Sequence, residues 1–298
     1  MGLLDGRVAI VTGAGRGVGR EEALALAAEG ARVIVNDVGV SVHGKGTDQS
    51  PAAGVAADIK QAGGEAVTNY EDISDWDGAR RTIEQAYDTY GRLDVLVNNA
   101  GVLRDRMCFN MSEDEFDLVM RVHCKGHFAT IRHACARWRE IAKQSGGTVS
   151  ARIINTASEA GLLGSAGNSN YAMAKAAIAA LTVSIAMEMG RYGVTCNFIA
   201  PRARTRMTET MANRDMFAKP ETGFDAFDPA WPAQLVTFLA TDAAADINGQ
   251  GFTVYGGEVL LMKGWHIASQ ISKPGAALTV RDLIARKDEL FGPHSRQP

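Results

Sequence analysis

The chain has 298 residues, 46% of them hydrophobic and 22% charged, with a formal net charge of −3. That length suits one large α/β domain or two small ones. The weak negative balance offers no global field to nucleic acid or to an anionic membrane, and the apolar runs read as too short to span a bilayer.

Residues 7–11, Arg-Val-Ala-Ile-Val, read as a buried strand. Thr12-Gly-Ala-Gly-Arg-Gly-Val-Gly19 follows, then an Ala/Leu-rich helix over 20–29 closed by Gly30. Strand, glycine turn and helix form the context of a phosphate-binding turn. Gly13, Gly15, Gly17 and Gly19 let backbone approach a pyrophosphate, with Arg16 and Val18 between them. The absence of Gly-Lys-Ser/Thr excludes a P-loop. The next strand, 32–36, ends at Asp37, about twenty residues past the glycines, where a carboxylate accepts hydrogen bonds from adenosine ribose hydroxyls. It repels a 2′-phosphate, so NAD is expected over NADP. Arg16 is the opposing feature and weighs less.

A polar, Gly-rich loop over 39–51 precedes a helix at 53–61 and a strand at 65–68. Asp72 and Ile73 are placed to flank an adenine. A helix at 75–90 and a strand at 94–97 lead to Asn98-Asn99-Ala100-Gly101. Ser112 and Glu115 make a capping box opening a long amphipathic helix to about residue 143. His123, Cys124 and His127 lie on it without companion ligands, so no metal is expected. A strand at 152–155 enters the Ser158 segment, and a helix carries Tyr171 to about residue 189. The strand at 194–200 ends at Pro201. Residues 202–228 are polar, Met-rich and irregular, as in a lid or binding segment. A helix at 232–240 and a strand at 252–255 complete the alternation. Such alternation predicts an α/β doubly wound parallel sheet. One catalytic domain is expected over 1–264, with a C-terminal extension over 265–298 that has a helical piece at 280–290 and packs at a subunit interface. Cys108, Cys124, Cys135 and Cys196 show no paired spacing and the first residues lack a basic leader, so reduced thiols and a cytoplasmic location are expected.

Tyr171 and Lys175 stand four residues apart, on one helix face. An ammonium beside a phenol is expected to lower the phenol pKa, making Tyr171 a general acid/base. Ser158, just before that helix, is placed to hold a carbonyl or hydroxyl oxygen.

Together, Thr12 to Gly19, Asp37, Asp72, Asn98 to Gly101, Ser158, Tyr171-x-x-x-Lys175, and Ile199-Ala-Pro201 with Thr205-Arg-Met207 resemble the short-chain dehydrogenase/reductase family over about residues 5–262. The resemblance implies a Rossmann-like, usually dimeric or tetrameric enzyme. In it, Tyr171 exchanges a proton with the substrate, Lys175 supports it and the nicotinamide ribose, and Ser158 orients the substrate oxygen. The family's fourth residue, an asparagine supporting a proton relay, corresponds here to His123. It further implies cofactor contacts from Thr12, Gly13, Gly15, Arg16, Gly17, Val18, Gly19, Asp37, Asp72, Ile73, Asn99, Ala100, Gly101, Tyr171, Lys175, Pro201, Thr205 and Met207.

Asn36-Asp-Val-Gly39, Leu103-Arg-Asp-Arg106, Arg121-Val-His-Cys-Lys-Gly126 and Arg206-Met-Thr-Glu-Thr210 resemble one subgroup. It holds the (3R)-hydroxyacyl-CoA dehydrogenase unit of peroxisomal multifunctional enzyme type 2 and bacterial relatives acting on steroids or acyl-CoA. NAD-dependent oxidation of a 3-hydroxyacyl-CoA, steroid-derived or not, is therefore expected. A free 17β-hydroxysteroid dehydrogenase, a 3-oxoacyl-carrier-protein reductase and a non-catalytic cofactor scaffold are the alternatives. Arg104, Arg106, Lys125, Arg202, Arg204 and Arg206 are candidates for coenzyme A phosphates, or plain surface charges. The partners expected are a small-molecule substrate and copies of the same chain in a homotetramer or homodimer.

Overall fold

The computed structural model describes residues 2–44, 46–209 and 214–292. Positions 210–213 of the expected lid, with Thr210 of the subgroup motif, and residues 293–298 of the extension lie outside the described residues. In chain order, β1 (Val8–Thr12), α1 (Gly17–Ala28), β2 (Arg32–Asn36), α2 (Ser50–Gln61), β3 (Ala66–Asn69), α3 (Trp76–Tyr90) and β4 (Val95–Asn98) alternate strictly. Then come α4 (Glu113–Met120), α5 (Gly126–Ser145), β5 (Ala151–Thr156), α6 (Glu159–Leu163), α7 (Ser169–Met189) and β6 (Val194–Pro201). After α8 (Arg206–Glu209) and α9 (Ala230–Ala240), β7 (Gly251–Tyr255) and β8 (Glu258–Met262) finish the sheet.

Side chains along the central strands alternate between two apolar layers. Ala9, Val11, Val33, Val35, Val95 and Val97 face one layer, with Leu26 of α1, Ile59 of α2 and Leu239 of α9. Val8, Ile10, Ile34 and Leu96 face the other, with Ile83 of α3, Trp138 of α5 and Met189 of α7. A parallel strand buried on both faces needs helices on both sides, which is why these strands read as unbroken apolar runs. Burial of each such Leu, Ile or Val contributes about 1.5–3 kcal/mol before conformational entropy is offset. The sheet order is β3-β2-β1-β4-β5-β6-β7-β8. The order reverses between β1 and β4, and ligands bind at such a switch point, beyond the carboxyl ends of the strands.

Four features differ from the sequence expectations. The sheet has an eighth strand: β8 runs antiparallel to β7, pairing Thr253 with Leu260, so the sheet is mostly rather than wholly parallel. The long helix from Ser112 is unbroken as expected but is not α-helical throughout. The Ser112 capping box is present, but residues Arg121–Lys125 form a π-helical turn between α4 and α5. Such a turn inserts one extra residue and is frequent at functional sites. Third, α7 with its following turn, Ser169–Tyr192, is long and apolar enough to cross a membrane by length and composition, contrary to the sequence reading. Its apolarity has a local reason: Ala174, Ile178, Ile185, Ala186 and Met189 are buried within this unit. Fourth, the helical piece of the extension is two helices. The described residues from Lys263 onward form a separate unit, in which α10 (Val280–Ala285) opens with a Thr279–Asp282 capping box. Arg286, with φ −110° and ψ 13°, breaks it from α11 (Lys287–Phe291).

Candidate active site

The carboxyl ends of β1, β2, β4, β5 and β6 surround a cleft of about 560 Å³. The glycine turn forms one end. Gly17 has φ +57°, a left-handed conformation that glycine adopts without strain. A Cβ on Gly13 would lie 2.7 Å from the Ala100 Cα. The first turn of α1 follows, with no side-chain cap and no acidic residue. Its free N–H groups and dipole suit an anion. Gly13, Arg16, Gly17 and Val18 line the cleft; Thr12, Gly15 and Gly19 shape the turn from behind. Thr12 is wholly buried, and its Oγ1 accepts hydrogen bonds from the Asn99 and Ala100 amides at 3.0 and 3.2 Å. Asn99 Nδ2 answers by donating to the Thr12 and Gly13 carbonyls at 3.1 and 3.2 Å. The two motifs are thus one tied unit.

Asp37 directly follows β2 and lines the cleft. Its carboxylate accepts from the Gly15 amide at 2.8 Å and the Gly39 amide at 2.7 Å. Arg16 is paired with Asp48 of the 39–51 loop at 3.2 Å. Asp72 and Ile73 line the same end, and Asp72 Oδ1 accepts from the Ser74 amide and hydroxyl at 2.8 and 2.7 Å. Asn99, Ala100, Gly101, Pro201, Thr205 and Met207 also reach the cleft.

Ser158, Tyr171 and Lys175 meet on one wall, from the end of β5 and from α7. Ser158 is the N-cap of α6, its Oγ accepting from the Ala160 amide at 3.2 Å. Lys175, 2% exposed, holds its Nζ 5.4 Å from the Tyr171 ring centre and donates to the Thr156 carbonyl. The expected lowering of the phenol pKa is not what the protein alone produces. Desolvation pushes Tyr171 up to about 12, against a hydrogen bond with Ser158 that pulls down and with Asp105 adding to the rise. Burial pushes Lys175 down to about 7. Desolvation outweighs the proximity of the pair.

His123 lies in the π-helical turn, its ring edge-on to Tyr171 with centroids 5.3 Å apart and planes at 89°. Its Nε2 is 2.9 Å from the Val102 carbonyl oxygen. The Val102 amide nitrogen is also within reach of Nε2, at 3.2 Å, and burial, with the Lys175 charge, holds the ring well below the usual histidine pKa, so it is neutral. A Cβ on Gly101 would lie 2.5 Å from His123 Cε1, so the glycine and the histidine fit each other.

A buried polar chain beneath the site escaped the sequence reading. Thr130 Oγ1 donates to Asn98 Oδ1 at 2.7 Å, and Asn98 Nδ2 donates to Asn155 Oδ1 at 3.0 Å. Asn155 Nδ2 then donates to Thr182 Oγ1 at 3.0 Å. Asn98 and Asn155 are register partners in β4 and β5, so the chain ties α5, both strands and α7 together beside the cleft. Asparagine at the end of two apolar strands was the available clue.

The basic residues mostly revert to ordinary ion pairs and backbone contacts. Arg202 is bidentate on Glu159 at 2.6 and 2.7 Å, and Arg106 pairs with Glu115 at 2.9 Å. Arg204 pairs with Asp225, and Arg104 donates to the carbonyls of Leu103 and His43. Of the six candidates, Arg202 and Arg206 line the cleft; Arg104, Arg106, Lys125 and Arg204 do not.

A switch-point cleft with a glycine cradle, an uncapped helix and a Ser-Tyr-Lys wall fits a nicotinamide dinucleotide and a substrate oxygen side by side, the plan of a dehydrogenase. The sequence matches the short chain dehydrogenases over residues 7–216, and the chain belongs to that family. It is an oxidoreductase acting on CH–OH groups with a nicotinamide cofactor. It is 46% identical over 297 residues to the hydroxyacyl-CoA dehydrogenase ChsB1 of Mycobacterium tuberculosis, covering 96% of this chain and 90% of the relative. It is 42% identical over 253 residues to peroxisomal multifunctional enzyme type 2 of Mus musculus, covering 85% of this chain but 32% of that enzyme's length. The crystal structure of a short chain dehydrogenase from Mycobacterium avium superposes with a TM-score of 0.86 at 48% identity, covering 100% of this chain and 98% of the other.

Proposed function

We propose that the protein is an NAD-dependent 3-hydroxyacyl-CoA dehydrogenase. The observation that carries this is the convergence of Ser158, Tyr171 and Lys175 on a cleft that also holds the glycine cradle. The likeness to a hydroxyacyl-CoA dehydrogenase over nearly the whole chain supports the substrate class. Bound there, a nicotinamide supplies the hydride acceptor or donor. The chain's own residues hold the substrate and move the proton. Ser158 orients the 3-oxygen, and Tyr171 gives a proton to it in reduction or takes one in oxidation. Lys175, fixed to the Thr156 carbonyl, supports the phenol from beside the ring. His123 positions Tyr171 by ring contact and keeps Val102 in place.

Asp37 supports NAD over NADP, because a carboxylate in this end of the cleft would repel a 2′-phosphate. Asp48 adds to this by engaging Arg16, the guanidinium nearest the glycine turn that would otherwise be available. Assembly into a homo-oligomer fits the exposed apolar side chains on α7, where Met173, Val183 and Met187 are 45, 45 and 80% exposed.

Turnover of a panel of (3R)- and (3S)-hydroxyacyl-CoA thioesters, with NAD and NADP side by side, tests the reading. Oxidation of the (3R) series with NAD is expected. Cofactor binding without thioester turnover would overturn the substrate class and point to a free sterol alcohol.

A further inference from the structure

Asp105 stands on the cleft wall. The backbone on either side of it is stapled to the chain that opens α7. The Arg104 carbonyl accepts from Asn170 Nδ2 at 3.2 Å, and the Arg106 amide donates to the Gly167 carbonyl at 2.7 Å. Arg106 and Asn168 form an isolated parallel bridge. On the other flank, the Leu103 amide donates to the Val42 carbonyl at 3.1 Å. A segment held at so many points fixes where residue 105 sits, and Asp105 lines the same cleft as Tyr171.

The side chains beside it are turned away. The Arg104 guanidinium donates to the carbonyls of Leu103 and His43, and the Arg106 guanidinium to Glu115. Among the described residues Asp105 makes no hydrogen bond and no ion pair. Desolvation raises its pKa, with His43 opposing the rise. Its charge is also felt by the Tyr171 phenol across the cleft. Asp105 is open to solvent on this wall, so its carboxylate is free to accept a hydrogen bond from a donor that enters the cleft.

We propose that Asp105 is a specificity-determining residue, whose carboxylate accepts a hydrogen bond from an amide N–H of the pantetheine arm of the substrate. This rests on the acyl-CoA reading above. The chemistry selects that part of the molecule. The phosphates of coenzyme A are anionic and are repelled by a carboxylate, so they lie farther along the cleft. Between them and the reacting carbon runs a neutral arm, and the donors nearest its thioester are amide N–H groups.

The test compares 3-oxobutanoyl-CoA with ethyl 3-oxobutanoate, which has the same reacting carbonyl and no arm. In Asp105→Ala the ratio of kcat/KM for the thioester to that for the ester falls about tenfold or more, the size of a lost hydrogen bond to a charged acceptor. The loss appears mainly in KM. Asp105→Asn keeps an acceptor oxygen and recovers part of the ratio. An unchanged ratio overturns the proposal. So does a similar loss on both substrates, which would place Asp105 behind Tyr171 or the fold, and so does tighter thioester binding, which would reduce its role to charge repulsion. Wild-type protein that reduces the ester but not the thioester overturns the acyl-CoA reading itself, and that result is visible before any variant is made.

Discussion

Lys175 Nζ lies 5.4 Å from the centre of the Tyr171 ring and donates to the Thr156 carbonyl. The phenol is pushed up to about 12 and the ammonium down to about 7, each by desolvation. At neutral pH the tyrosine therefore holds its proton, ready for transfer to a carbonyl oxygen. Tyr171→Phe removes that proton and leaves the ring, so kcat should fall about 10²–10⁴-fold. Nicotinamide fluorescence titration should show the cofactor still bound. Turnover within a few-fold of wild type would remove Tyr171 from the chemistry.

The same phenol sets a pH dependence. Oxidation needs the ionised form, which a raised pKa makes scarce at neutral pH. The rate of (3R)-hydroxyacyl-CoA oxidation should climb with pH from neutrality into the alkaline range. A plateau already reached below pH 8 would mean that the phenol is ionised in the working complex, and the prediction would fail.

Cofactor choice should follow Asp37. Its carboxylate accepts from the Gly15 and Gly39 amides, so it is fixed in place before any ribose arrives. Asp37→Ser should lower the preference for NAD over NADP, read as the ratio of kcat/KM values, by roughly one to two factors of ten. Taking a ratio cancels any general loss from loosening the turn. A ratio that does not move would assign the preference to another group.

Glu22, on α1, is wholly buried, and neither carboxylate oxygen has a hydrogen-bond partner among the described residues. Burial raises its pKa to about 8 from an ordinary 4.5. The folded state then binds a proton more tightly than the unfolded state, so stability falls as pH rises from about 4.5 to about 8. At about 1.4 kcal/mol per pKa unit the loss is on the order of a few kcal/mol. Glu22→Gln should raise the Tm at pH 8 and leave it nearly unchanged at pH 4.5. An increase of equal size at both pH values would point to packing rather than ionisation.

Gly101 and His123 should be coupled. A Cβ at 101 would meet His123 Cε1 at 2.5 Å, far inside contact distance. Gly101→Ala alone should cost about 1–3 kcal/mol from overpacking. The same change in a His123→Ala background should cost less, and a double-mutant cycle in urea measures the difference. Additive costs would mean the ring moves aside freely.

Much of this protein is decided locally, and so by its sequence. Apolar strands such as residues 8–12, the glycines at 13 and 17, the Ser112 capping box and the four-residue spacing of Tyr171 and Lys175 act over a few residues. Their periodicity and backbone freedom are properties of short segments. Tertiary structure decided what depends on distant residues. The π-helical turn that places His123, the antiparallel β8, and the Thr130–Asn98–Asn155–Thr182 chain need partners far along the chain. So does the fate of each charge. Arg202 and Arg204 are spent on Glu159 and Asp225, while Asp105, unpaired among the described residues, faces the cleft, although all are merely charged residues in the sequence. Desolvation is likewise a property of the packed molecule, which is why two side chains spaced to lower a phenol's pKa end with it raised.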